Sequence, residues 1–240
     1  MKTSFYAGAS GLTAQQQAMN VIGANVANAN TDGYQKQGVS FDSLLYQQMY
    51  ANTAQNPLNG VGVRAVSTGL MTGQHPVRET GHALDFAVVG DAFFAVDHNG
   101  QREYTRDGAF AIRLEDGNAY LSTQDGFDVL NGAGGRITMP KKADGSYDYA
   151  ALTDQIGLYR FAYAGALEPL SHNRYAPTAS SGAAQPSADS KLMNGYLEAS
   201  GVSMVDEMSD MIAAQRAYQM SAKVVQTADE NEQVINNLRK

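Results

Sequence analysis

The 240-residue chain has no cysteine and no tryptophan, and only 17% of its residues are charged. Without cysteine there can be no disulfide, thiolate nucleophile, Cys-ligated zinc or iron–sulfur cluster. Such a chain also suits passage between redox compartments. Basic residues are in deficit, 17 Lys and Arg against 24 Asp and Glu, for a formal charge of −7. Sequence-independent binding to nucleic acid needs the opposite surplus and is excluded. No uninterrupted apolar run is long enough for a membrane span. Thr3 to Thr31 is free of charge, but Gln15, Gln16, Gln17 and Asn20 interrupt it, and their amides would be unsatisfied in hydrocarbon. The same glutamines stand where a leader peptide needs its apolar stretch, with Lys2 the sole basic residue before them, so no cleaved leader is expected.

Both ends of the chain have helical period. Leu12, Gln15, Met19, Ile22, Val26 and Ala29 recur at intervals of 3, 4, 3, 4 and 3, the spacing of a coiled-coil seam. The pattern ends in Asn28-Ala29-Asn30-Thr31-Asp32-Gly33, which supplies turn and C-cap chemistry. A helix over about Ser4–Asn28 is therefore predicted. Gly8, Gly11 and Gly23 each cost it about 1 kcal/mol relative to Ala, whereas burial of Leu12, Met19, Ile22 and Val26 returns about 1.5–3 kcal/mol apiece. Such a helix is stable against a partner and frayed alone. At the other end, Ser203 followed by Asp206 resembles a capping box, and no Gly or Pro interrupts Ser203–Arg239. Met208, Met211, Gln215, Tyr218, Ala222 and Val225 repeat the same spacing, beside Ile212, and Ile235 and Leu238 continue an apolar face. Arg239 and Lys240 would lie at the negative end of the helix dipole. Seams of equal period invite pairing; two amphipathic helices lying on one core is the alternative.

The middle of the chain predicts β structure. Leu84–Val89, Ala92–Val96, Glu103–Arg106, Ala109–Leu114, Tyr120–Thr123 and Phe127–Leu130 are short apolar or alternating runs separated by Gly-, Asn- and Asp-rich turns. That rhythm means antiparallel hairpins in a sandwich or barrel. Arg136–Met139, Ile156–Tyr163 and Leu192–Glu198 add candidate strands, and Tyr50–Gly62 and Ala176–Ser190 look like linkers. The expected fold class is α+β. Its N- and C-terminal helices pair as a coiled coil around an all-β antiparallel body. The expected divisions are a helix over 1–33, an extension over 34–65, the body over 66–190, a return strand over 191–202 and a helix over 203–240.

No catalytic pattern accompanies these elements. His75, His82, His98 and His172 lack ligand spacing, so no metal is expected. Glu115-Asp116, Asp125, Asp128 and the run Asp229–Glu232 are the carboxylates a glycan hydrolase would need. A hairpin tip and an exposed helix face explain them more simply. Gly132-Ala133-Gly134-Gly135 has no following Lys-Ser/Thr to make it a phosphate loop, and Gly8-Ala9-Ser10-Gly11 misses the nucleophile elbow. No cofactor and no enzymatic activity are expected. What stands out is a charge-free helix with small residues at Ala7, Gly8, Ala9 and Gly11, a surface suited to burial between subunits. Chain ends that order on assembly would spend their conformational entropy only then.

Several segments then carry a family resemblance. Gly23-Ala24-Asn25-Val26-Ala27-Asn28-Ala29-Asn30-Thr31-Asp32-Gly33-Tyr34, Gly90-Asp91-Ala92-Phe93-Phe94, Tyr104–Phe110, Gly195–Ser200 and Glu207–Tyr218 are similar, in this order, to motifs of the bacterial flagellar rod and hook axial proteins. Ala92 and Gly201 depart from that family's usual Gly and Asn. The length resembles rod proteins with one body domain, of distal or proximal type. Phe41–Tyr46 resembles the distal type, and Asp229–Glu232 lies nearer the other. The resemblance implies a self-assembling subunit of a hollow helical shaft in the basal body, transmitting torque between motor and hook. It also implies partners among other rod and hook proteins, and passage through the flagellar type III export apparatus. The assembly interface is expected at Leu12, Met19, Ile22, Val26, Met208, Met211, Ile212, Gln215, Tyr218 and Val225. A secreted filament or adhesin subunit with a ligand-binding β body is the rival reading.

Overall fold

The computed structural model describes residues 2–44, 46–48, 58–115, 117–141, 147–187 and 189–238. The chain forms two compact units, each built from separated segments: residues 1–27, 37–68 and 203–240 in one, 28–36 and 69–202 in the other. Between them lie the elements of an α+β protein, with an N-terminal helix, an antiparallel β region and a C-terminal helix.

The first unit holds helices α1 (Lys2–Ala27) and α2 (Met204–Leu238), with strands β1 (Gln37–Ser43), β2 (Tyr46–Gln48), β3 (Leu58–Gly60) and most of β4 (Val63–Leu70). Helix α1 spans about 39 Å and α2 about 52 Å at 1.5 Å per residue. Just before α2, the Ser203 carbonyl accepts the Glu207 N–H at 3.0 Å, the first turn of that helix. Strand β1 pairs with β4 and β2 with β3, so 58–60 of the expected Tyr50–Gly62 linker is hydrogen-bonded strand. Residues 50–57, Arg239 and Lys240 lie outside the described residues. The Ser10 hydroxyl on α1 accepts the Val63 N–H at 3.2 Å, which ties the start of β4 to the helix.

The second unit contains strands β5 (Val77–Glu79), β6 (Phe86–Val89), β7 (Phe93–His98), β8 (Gln101–Thr105), β9 (Phe110–Glu115), β10 (Asn118–Thr123), β11 (Asp128–Val129), β12 (Leu158–Arg160), β13 (Glu168–Pro169), β14 (Arg174–Ala176), β15 (Gln185–Pro186), β16 (Lys191–Asn194) and β17 (Tyr196–Glu198). Its main sheet runs β13-β14-β8-β7-β11-β10-β9, with β12 bridging β7 and β15, and its recorded pairings are antiparallel. Residues Phe93–Val96 of β7 are apolar without alternation because both faces of the strand are covered there. Phe94 and Val96 enter one core with Phe86, Leu121 and Ile137; Phe93 and Ala95 enter a second with Tyr104, Phe161 and Tyr175.

Three further local expectations change. Arg136–Met139 forms isolated bridges, Arg136 to Leu130 and Thr138 to Tyr120, because successive residues meet different partners. Leu192–Glu198 is two strands: Gly195, at φ +80°, turns the chain between β16, on β6, and β17, on β5. Ala176–Ser190 is packed rather than a free linker. Ser181 is fully buried, the Thr178 and Ser181 hydroxyls accept each other's backbone N–H, and β15 joins β12. Its Ser, Thr and Pro residues make turns, which composition alone does not separate from a tether.

Where the chain enters and leaves this unit, it is closed by a buried ion pair. Arg106 Nη1 donates to Glu198 Oε1 and Oε2 at 3.0 and 2.9 Å, with both side chains about 1% exposed or less. The remaining capacity is largely used: Arg106 also donates to the carbonyls of Gly73 and Gly90, and Glu198 Oε1 accepts the His75 N–H at 2.9 Å. The Glu198 carbonyl takes the Gly33 N–H at 2.8 Å, and the Tyr34 carbonyl takes that of Gly201 at 2.9 Å. Gly33 has φ +67°, and a Cβ there would overlap the Arg106 carbonyl and the Asp107 amide, so no other residue fits.

Two outcomes are expected in unfolding measurements. Glu198→Met leaves the Arg106 charge buried and unpaired and should cost about 3–5 kcal/mol, most of it recovered in Arg106→Met/Glu198→Met. Beside this pair, burial pushes the Asp107 carboxyl up to about 6, with the negative charges of Asp32, Asp125 and Asp85 adding to the effect and the Ala109 N–H opposing it. The raised value means that native-state protonation stabilises the fold: the contribution is complete below the unfolded value of 3.8 and disappears as pH rises through about 6. Asp107→Asn should therefore stabilise the chain by about 1–3 kcal/mol at pH 7.5, with the gain vanishing near pH 4.

Candidate functional site

Of the carboxylates that could have served catalysis, Asp128 and Glu115 are held in ion pairs, and Asp116 lies outside the described residues. Asp128 is almost fully buried, with Arg113 at 2.8 Å and Arg136 at 2.9 Å, and Glu115 bonds the same two arginines at 2.9 and 3.1 Å. The Asn131 side chain, not an anion, accepts the Ala133 and Gly135 N–H groups in the Gly-rich turn. His98 pairs with Glu103 at 3.2 Å, and the ring of His75 is held below its ordinary pKa chiefly by burial. Among the described residues, no group of three or more His, Asp or Glu gathers as a metal ion would require. Nor is any helix among them long and apolar enough to cross a membrane.

The distinctive surface is the pair of terminal helices. They run antiparallel: a Cβ on Gly8 would come 2.8 Å from Val225 Cγ2 and one on Gly11 2.9 Å from Ser221 Oγ, while Asn25, seventeen and fourteen residues further along α1, meets Glu207. The buried stripe of α1 is Gly8, Gly11, Ala14, Ala18, Ile22 and Asn25. Mostly small residues on α1 let the helices approach closely, so that the side chains of Val225, Val224 and Ser221 on α2 lie directly over Gly8 and Gly11 of α1.

At the far end of the pair sits a polar node. Asn25 is 1% exposed and its amide acts as a spare peptide group: Oδ1 accepts the Gln37 N–H and Nδ2 donates to the Gln37 carbonyl, both at 3.0 Å. Nδ2 also donates to Glu207 Oε2 at 3.2 Å. Glu207 lies in the first turn of α2, where the helix dipole favours its negative charge. One asparagine thus joins α1, the first residue of β1 and the start of α2.

Of the residues picked from the sequence, Ile22 is buried, and Leu12, Met19, Val26, Met211 and Val225 are half-buried. The pair brings Val225 against Gly8. Tyr218, Met208, Ile212 and Gln215 are exposed. The sequence reading passed over Ala14, Ala18, Asn25, Glu207 and Ala214, all buried. Weighting by apolar size hides alanine, and a polar side chain reads as surface. The available signal was the small residues themselves at 8, 11, 14 and 18, spaced on one helical face.

Comparison with known proteins gives a consistent result. Residues 5–35 match the family described as flagella basal body rod protein, residues 87–150 the flagellar hook protein FlgE/F/G D1 domain, and residues 193–238 the flagellar basal body rod FlgEFG protein C-terminal family. The flagellar basal-body rod protein FlgG of Bacillus subtilis is 33% identical, over all of both chains. That of Caulobacter vibrioides is 34% identical over 96% of this chain and 97% of its own. The flagellar basal-body rod protein FlgF of Mesorhizobium japonicum is 31% identical over 99% and 98%.

Close approach at Gly11 is directly testable by amide hydrogen exchange. Gly11→Leu should raise exchange throughout α1 by about tenfold or more as the helices part. Gly23→Ala, where a Cβ meets nothing within 4 Å, should slow exchange instead, since Ala gains about 1 kcal/mol of helix preference.

Proposed function

The chain belongs to the flagellar basal-body rod proteins of FlgG/FlgF type and is a structural subunit of the basal body, and from that premise we propose that it polymerises through two further seams on α2. The inner seam, Glu207, Met211, Ala214, Tyr218, Ser221, Val225 and Ala228, has a 4, 3 alternation and includes Glu207, Ser221 and Val225, which meet α1. A second seam, Val205, Met208, Ile212 and Gln215, follows 3, 4, 3; a third, Met220, Val224, Thr227, Asn231, Val234 and Leu238, follows 4, 3, 4, 3, 4. At 100° per residue these lie about 130° to either side of the inner seam. Their apolar members are exposed, from Val205 and Ile212 to Val224, Val234 and Leu238.

A helix with three seams is built to be surrounded. Helix α1 of the same chain takes one, and helices of two different neighbours take the others. The third seam already borders a groove of about 470 Å³ with Ser4 of α1. Because the two outer seams differ in sequence and in level along α2, the contacts are heterologous and do not close into a dimer; repeated, they generate an open helical polymer. This arrangement is the coiled-coil-like inner layer of a hollow shaft that transmits torque between motor and hook. Leu12, Met19 and Val26, half-buried beside the small-residue stripe, join that layer. Other rod and hook proteins continue the shaft at its ends, and subunits reach it through the flagellar type III export apparatus.

The observation that carries this reading is the exposed apolar heptad at both flanks of one helix. An adhesin would place its working surface on the β body and leave α2 indifferent to polar substitution. Ile212→Asp and Val234→Asp each introduce a charge at an exposed position, so the subunit should fold normally by circular dichroism. Each should lower polymer formation, read by sedimentation and electron microscopy, by about tenfold or more. Normal polymers from both variants would refute the proposal.

A further inference from the structure

Each outer seam of α2 carries one exposed methionine, Met208 at 55% and Met220 at 65% exposure. With no cysteine in the chain, methionine sulfur is its most readily oxidised group, and accessibility governs which sulfur reacts. Two other methionines serve as internal standards. Met139 lies in the core of the β-rich unit at 3%, and Met71, in that same unit, is exposed at 53% and belongs to neither seam.

We propose that Met208 and Met220 are a peroxide-responsive modification site whose oxidation blocks self-association. Hydrogen peroxide transfers one oxygen atom to the thioether: the O–O bond breaks, the S=O bond forms, and the other oxygen leaves as water. Sulfur gives up two electrons, peroxide accepts them, and no metal or cofactor takes part. The product replaces an apolar, adaptable side chain with a polar sulfoxide. Buried in a helix contact, that oxygen needs a donor. Val205 and Ile212, the neighbours of Met208 on its seam, have none to offer, whereas Lys223 borders the same groove as Met220. Oxidation at Met208 is therefore the stronger brake. The consequence for assembly rests on the proposal that these seams are buried between copies; the oxidation itself does not.

The test uses the full chain treated with hydrogen peroxide and analysed by peptide mass spectrometry. Met208, Met220 and Met71 should convert about tenfold faster than Met139 or more. If Met208 and Met220 lag with Met139, the site is overturned. Sedimentation then reads association. The oxidised chain should associate about tenfold more weakly or worse. Met208→Leu/Met220→Leu, treated identically, should keep its association although Met71 is oxidised. Equal association of the oxidised and untreated chain, or equal loss in the double-leucine variant, overturns the switch. Failure of the untreated chain to associate removes the assembly reading and the switch together, while the peptide map still decides whether the modification site exists.

Discussion

Among its buried charge pairs, the β-rich unit depends most on Arg106 with Glu198. Arg106 and Glu198 are separated by ninety-two residues, and neither can sit in an apolar interior without the other. Bringing them together fixes β17 beside the end of β8. It also makes the Glu198 carbonyl available to Gly33, so the segment leaving α1 and the segment approaching α2 meet at one place within that unit. A hydrophobic pair of similar volume could contribute as much stability. The charges add direction: the guanidinium donates in a fixed plane to a carboxylate and to the Gly73 and Gly90 carbonyls, which admits one arrangement of four chain segments.

The helical unit solves a similar problem with different chemistry. Of its buried polar residues, Asn25 is neutral and serves three segments at once, while the Glu207 charge is helped by the start of its own helix. Along α1, Ile22 apart, the rest of the buried stripe facing α2 is Gly and Ala. That choice leaves larger apolar residues of α2, among them Val205, Ile212 and Leu238, exposed on its flanks, where the proposed assembly would bury them.

Much of this was legible in sequence. The two helices, the hairpin rhythm of the middle and the motif order that marks the family all follow from local patterns, because period, turn residues and caps act over a few positions. The errors share a cause. Arg136–Met139 looks like a strand but divides its bonds among partners far away in the chain; Ala176–Ser190 looks like a tether but buries Ser181. In both, long-range contacts decide what local composition leaves undetermined.

The sequence by itself determined the α+β class, the terminal helices and the lack of thiol chemistry, since each depends on residue identity and short-range spacing. Only the tertiary structure decided that Asn25, Arg106, Glu198 and Glu207 are interior. A polar residue reads as surface until its partner is brought to it, and here the partners of Arg106 and Asn25 stand 92 and 182 residues away. It likewise decided which face of α2 meets α1. Three faces of that helix repeat at seven residues, and period alone cannot rank them; the close approach permitted by Gly8 and Gly11 does.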